Sequence, residues 1–215
     1  MVSRVRRDLL VLLVSLVVLA GCMLVVDNRV GPAERAVFHA VNGLPEWLYR
    51  PMVLAQYLGV LGTPLLVAAV ALVLRRWRLA AALVLLVPLK LVVEQLPKQL
   101  IARPRPGTSV PEAILRGVPR DGRSFTSGHA IITFAIAGLL VLVLPRRWAI
   151  VAVLLAALNG VARVYLGAHN PLDVVGGAAI GLALAAVLDL VFDVARDRTG
   201  TRRGRAPLAQ EDPAT

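Results

Sequence analysis

Cysteine is almost absent from this sequence: Cys22 is the only one in 215 residues, which excludes an internal disulfide framework and a cysteine-built metal site. Histidine is scarce too, with three residues. No carboxylates cluster in the way that holds magnesium or zinc, so neither a metal nor another cofactor is expected. Lysine is nearly missing, since only Lys90 and Lys98 among 24 basic residues are lysines; that bias reflects base composition and says little about partners. Acidic residues number 13, which leaves a formal net charge of +11. A nucleic-acid partner is not expected from that excess, because the arginines sit at the ends of apolar runs rather than along one soluble face.

What the sequence has in plenty is apolar surface. Hydrophobic residues make up 58% of it and the mean hydropathy is +0.74, beyond the roughly half-apolar average of soluble domains. Crossing a bilayer takes about 20 apolar residues, and several runs approach that length. The expected fold is all-α: a bundle of six transmembrane helices over residues 9–26, 57–74, 79–96, 129–144, 149–164 and 171–192, in one domain covering 1–195, followed by a charged, disordered tail over 196–215. The stretch 27–51, with Ala36, Val37, Ala40 and Val41 at helical spacing and Trp47 and Tyr49 beyond, reads as a short interfacial helix. Arg4, Arg6 and Arg7 before an apolar run ending in Leu19-Ala20-Gly21-Cys22 resemble a lipoprotein signal, but the run continues through Val26 and reads more simply as the first span.

Six spans put both termini on one side with Arg75, Arg78, Arg146 and Arg147, and the positive-inside rule makes that side the cytoplasm. The long loop from Pro97 to Ser127 and the short one around His169 then open on the opposite face. Lys98, Arg103, Arg105, Arg116, Arg120 and Arg123 all fall in the long loop, against the topological bias. An anionic substrate accounts for such a concentration.

Three clusters on that face carry chemistry: Lys98-x6-Arg105-Pro106, Ser124-Phe-Thr-Ser-Gly-His129 and Arg163-x5-His169-x3-Asp173. Each has a bland alternative taken singly, whether a snorkelling lysine, a helix start or a capping pair. Together they supply the parts of phosphoryl transfer. Guanidinium groups match phosphate oxygens and lysine adds a point charge. Ser127, Gly128 and His129 open a helix whose N–H groups can face an anion. His169 can attack phosphorus through an unprotonated ring nitrogen, Asp173 at i+4 can fix its tautomer, and His129 can protonate the leaving oxygen. His39 has no nearby carboxylate and reads as structural, while Lys90 and Glu94, one turn apart, read as an internal pair.

These clusters, in this order and spacing, resemble the signature of the type 2 phosphatidic acid phosphatase superfamily over roughly residues 89–181. The resemblance implies a membrane enzyme that dephosphorylates a lipid phosphate through a phosphohistidine, without a metal, at the outer leaflet of the cell membrane. It implies His169 as nucleophile, Asp173 as its orienting partner and His129 as acid, with Lys98, Arg105, Ser127, Gly128 and Arg163 binding phosphate. Two positions depart from the family: Thr126 where proline is usual and Ala162 where serine is usual. The second removes a hydrogen bond to phosphate worth about 1.5–3 kcal/mol, which predicts slower turnover or a changed substrate preference.

The substrate could be a polyprenyl diphosphate, a polyprenyl phosphate sugar, phosphatidic acid or phosphatidylglycerol phosphate, and the sequence does not choose among them. The same phosphohistidine could pass its phosphate to an acceptor alcohol, making a phosphotransferase. A transporter or non-catalytic lipid-phosphate binder is the alternative from another class, and it would need neither histidine. A haloperoxidase is disfavoured by the transmembrane helices. Oligomeric state is not legible.

Overall fold

The computed structural model describes residues 2–26, 30–110 and 112–198, so most of the expected tail lies outside it. Among these residues all regular structure is helical, and one isolated antiparallel bridge joins Pro104 to Arg123. The helices are α1 (Val2–Val25), α2 (Pro32–Asn42), α3 (Tyr49–Gln56), α4 (Thr63–Val73), α5 (Trp77–Leu100), α6 (Pro106–Ser109), α7 (Gly128–Val143), α8 (Arg146–Tyr165) and α9 (Pro171–Phe192). By length and composition α1, α5, α8 and α9 can each cross a membrane, and α3 with α4 makes a fifth candidate; α7 is apolar but has only 16 residues.

The packing is that of a bundle with an apolar outside. Leu83 and Leu86 of α5, Ile131 and Leu139 of α7 and Leu188 of α9 are buried together, while Leu13, Val17, Val92 and Leu154 face outward. Such a surface suits lipid, in which every backbone polar group must be satisfied within the helices.

Two helices differ from the sequence expectation. The second span is not one helix over 57–74: a 3-10 turn at Tyr57–Gly59 ends the α3 segment, and α4 starts again at Thr63 after a bend of 68°. Gly59, Gly62 and Pro64 explain the break, since glycine weakens a helix and proline suits a helix start. Conversely α5 runs through Pro97 to Leu100, so Lys98 stands in a helical turn rather than in a loop. Helix α1 continues unbroken through Cys22, which is buried beside Val26 and Phe125.

Charged contacts gather one end of the bundle. Arg7 Nη2 lies 2.8 Å from Asp189 Oδ2 and 2.7 Å from Asp8 Oδ1, and Arg4 pairs with Asp193. Arg76 Nη1 donates to Val143 O at 3.1 Å. The chain stays helical past Asp193, over Val194–Arg198; Val194 is fully buried, and Asp197 Oδ2 accepts the Leu79 N–H at 3.1 Å. At the other end lie the loop 101–127 and the turn 166–170, covered by α2. Phe38 of α2 packs on Val110 and Val164, and Asn42 Nδ2 donates to Tyr165 O at 2.8 Å, while the apolar residues Ala36, Val37 and Ala40 stay exposed.

Candidate active site

His169 sits in the turn before α9 and is 3% exposed. Its Nδ1 is 3.0 Å from the carbonyl oxygen of Ser124. A carbonyl only accepts, so Nδ1 carries the proton and Nε2 of the neutral ring is left unprotonated. The direct carboxylate–imidazole bond expected from the i, i+4 spacing is replaced by a longer approach, Nδ1 to Asp173 Oδ2 at 3.8 Å. The reason is that Asp173 is already engaged. Its Oδ1 takes Arg103 Nη1 at 2.9 Å, and its Oδ2 accepts the Ser124 hydroxyl and the Asn170 N–H, the latter at 2.8 Å.

Arg103 is fully buried and forked onto Glu34 of α2, with Nη2 2.5 Å from Oε2 and Nη1 3.1 Å from Oε1. Glu34 Oε1 also accepts the Leu172 N–H at 2.9 Å. Glu34, Arg103 and Asp173 thus form a buried chain behind the histidine. Burial lowers the tendency of Arg103 to hold its proton, and the hydrogen bonds and charges of its two carboxylates outweigh that, so its pKa is raised.

The loop cations therefore divide. Arg103 is spent on Glu34 and Asp173. Arg116 donates to the carbonyls of Asn42 and Tyr165 at 2.9 and 2.7 Å and lies over the Tyr165 ring at 4.1 Å. Arg123 reaches Lys98 O at 2.8 Å, and Arg120 is exposed. The expectation that all six serve an anion is too broad, because buried carbonyls and carboxylates recruit arginine as readily as phosphate does.

Arg105 and Arg163 stay near the imidazole. Arg105 Nη1 donates to Ala168 O at 3.3 Å, and Arg163 Nη1 to Gln56 Oε1 at 2.6 Å, while the buried Arg163 Nε has no hydrogen-bond partner. Burial, above all, lowers the pKa of His169; Arg163 and Arg105 push the same way and Asp173 opposes them. The balance favours the neutral ring. Burial also lowers the pKa of Arg105.

His129, in the first turn of α7, lies within electrostatic range of Arg163 and His169. The bend between α3 and α4 serves this contact: a Cβ on Gly59 would stand 2.6 Å from His129 Cβ, so only glycine admits the chain there. The α7 start is less open to an anion than expected, because the Ser127 N–H donates to Asp173 O at 2.9 Å and the Ser127 hydroxyl caps Ala130 N at 3.4 Å. The N–H groups of Gly128 and His129, in the first turn, have no intrahelical acceptor by helix geometry. Lys98 pairs with Glu94, which also holds Lys90, so the expected Lys90–Glu94 pair is a triad.

Thr126 is buried with its hydroxyl unpartnered, and Ala162 is fully buried among Met52, Ala55, Tyr165 and Leu166. At Ala162 the structure shows helix packing between α3 and α8. His39 meets Phe38 edge-on at 5.7 Å, in α2. The residues to which motif reading gave no role at the site are Glu34, Gln56, Gly59, Glu94, Arg103 and Ser124. Glu94, Arg103 and Ser124 carried a signal, as a charge in an apolar span, a neighbour of a motif arginine and the first residue of the second cluster.

Over 117 residues the chain is 35% identical to the undecaprenyl-diphosphatase of Sulfolobus acidocaldarius, covering 54% of this chain and 56% of that protein. It is 42% identical over 69 residues to the lipid A 4'-phosphatase of Bacteroides thetaiotaomicron, covering 32% of this chain and 31% of that protein. The matched parts thus span about half and a third of these relatives. Among solved structures, LpxE of Aquifex aeolicus aligns with a TM-score of 0.65 at 26% identity, covering 71% of this chain and 92% of its own. The transmembrane PAP2-type phosphatidylglycerolphosphate phosphatase of Bacillus subtilis aligns with a TM-score of 0.68 at 25% identity, covering 86% and 96%. The family model of the PAP2 superfamily matches residues 76–196, which hold His129, His169 and Asp173, and the chain belongs to that superfamily.

Proposed function

We propose that this protein is a membrane phosphatase that hydrolyses a lipid phosphate or diphosphate through a phosphohistidine on His169. The observation that carries the proposal is the buried imidazole with Nδ1 donating to Ser124 O and flanked by Arg105 and Arg163. In the first step Nε2 attacks phosphorus, the bond to the lipid oxygen breaks, and His129 gives that oxygen a proton. In the second, water attacks the phosphohistidine with His129 taking its proton, the P–N bond breaks, and inorganic phosphate leaves. Arg105, Arg163, Lys98 and the α7 N-terminus spread the charge of the transferring group.

A hydrocarbon-bearing substrate suits the surroundings. An apolar cavity of about 500 Å³ lies between α4, α7 and α8, lined by Leu58, Val67, Ile136, Leu140 and Leu155 and by Thr133, one turn from His129. The relatives act on undecaprenyl diphosphate and lipid A by their names, and a polyprenyl diphosphate, phosphatidic acid or phosphatidylglycerol phosphate fits the same chemistry. The topology that goes with this reading has six spans: α1, the bent α3–α4, α5, α7, α8 and α9. Arg4, Arg6, Arg7, Arg75, Arg76, Arg78, Arg146 and Arg147 at one end mark the cytoplasm, and the site faces the other side.

The test is phosphate release by detergent-purified protein from a panel of these lipids, in chelator and without an acceptor alcohol, beside His169→Ala. Release that survives chelation and disappears in the variant is expected. Activity in folded His169→Ala would overturn the mechanism, and release only on adding an acceptor would make the protein a phosphotransferase.

A further inference from the structure

Glu94 is 6% exposed in an apolar span, where a carboxylate is costly unless paired. One cation would neutralise it, yet it has two: Lys90 Nζ stands 2.5 Å from Oε2, and Lys98 Nζ holds Oε1. Nor does the carboxylate turn toward lipid. It presses on the first residue of α7, where a Cβ on Gly128 would come within 2.6 Å of Oε1 and 2.9 Å of Oε2. An internal anion therefore rests at the positive end of α7 and on the lysine that the phosphatase reading gives to phosphate. Its charge reaches Arg105 and His129 as well.

We infer that Glu94 is a built-in competitor for phosphate, holding Lys98 and the α7 N-terminus between turnovers and yielding Lys98 to the incoming phosphoryl group. This rests on the phosphatase reading of the same site. Lys90 is what makes the exchange possible, since it stays behind as the counterion of Glu94 and leaves the charge of Lys98 as surplus. The gain is in release. Inorganic phosphate held by Lys98, Arg105 and Arg163 would leave slowly, and a carboxylate tethered one helical turn from Lys98 replaces it at high effective concentration. Glu94 is thus a positioning residue acting through Lys98, and Lys90 acts through Glu94.

Replacing Glu94 and replacing Lys90 are expected to shift phosphate affinity in opposite directions. The experiment titrates inorganic phosphate into the full-length, detergent-purified protein and follows phosphorus NMR line width, with folding checked by thermal unfolding. Glu94→Gln is expected to bind phosphate on the order of tenfold more tightly, and Lys90→Met on the order of tenfold more weakly, because Glu94 then has only Lys98. The double variant keeps the net charge of the triad and falls between the two singles. If Glu94→Gln alone does not fold, the comparison of the double variant with Lys90→Met decides: tighter binding in the double supports the inference, and equal or weaker binding overturns it. Both single variants moving the same way, or neither moving, overturns the role of Glu94 while leaving the phosphate site intact. A wild-type protein that binds no phosphate overturns the site reading, and this inference with it.

Discussion

His169 Nδ1 lies closer to the Ser124 carbonyl, at 3.0 Å, than to the Asp173 carboxylate, at 3.8 Å, and the Ser124 hydroxyl donates to that same carboxylate. One residue thus fixes the tautomer with its backbone and steadies the aspartate with its side chain. Ser124→Ala keeps the carbonyl and removes the hydroxyl. It should lower kcat about 10- to 100-fold, the worth of one hydrogen bond to a charged group. Asp173→Asn should cost more, on the order of a thousandfold, because the charge opposite the developing imidazolium is lost. Steady-state kinetics on both variants checks the order, and an unaffected Ser124→Ala enzyme would remove the serine from the relay.

Arg103 bridges Glu34 and Asp173 without exposure to solvent. Breaking a buried pair by removing one partner costs about 3–5 kcal/mol. Arg103→Met should therefore destabilise the protein by about that much, and Glu34→Gln by less, since Asp173 still holds the arginine. Thermal unfolding in detergent measures both, with the double variant less destabilised than the two singles summed.

Burial, with Arg163 and Arg105 adding to it, holds the pKa of His169 below the ordinary histidine value of 6.5. In the proposed mechanism the nucleophile is the neutral ring, so on the acid side activity is lost as pH falls through that lowered pKa. The acid limb of kcat/KM should lie below pH 6.5. Arg105→Gln removes one of the cations that disfavour protonation and should move the limb upward, whatever it does to the plateau. A limb that stays in place would mean that His169 does not set the acid side.

Gly59 touches His129 where a side chain has no room, with the His129 Cα only 2.9 Å from an added Cβ. Backbone cannot swing aside as a side-chain tip can. Gly59→Ala should destabilise by about 1–3 kcal/mol through overpacking and lower kcat more than it changes KM. Kinetics together with a melting curve tests this. A variant with wild-type kcat would show that the bend between α3 and α4 does not hold His129.

Much of this protein is legible in its sequence because the controlling forces are local. Long apolar runs become helices in a bilayer wherever they occur: four of the six expected spans lie within a few residues of α5, α7, α8 and α9, and the first ends with α1, which starts seven residues earlier. The spacing of His169 and Asp173 puts them on neighbouring positions of one helix start. The second span failed as a continuous helix because Gly59 answers to His129, about 70 residues away in the chain.

The division of the cations is likewise a matter of tertiary structure. Arg103 and Arg105 are the same residue type two positions apart. One is consumed by Glu34 and Asp173, and the other lies beside His169. Composition and spacing determined the membrane class, the helices and the three clusters of chemistry. Which charge meets which was decided only when α2, the long loop and α9 closed on one another, because a buried ion chooses the partner that the fold brings within reach, and sequence distance carries no record of that choice.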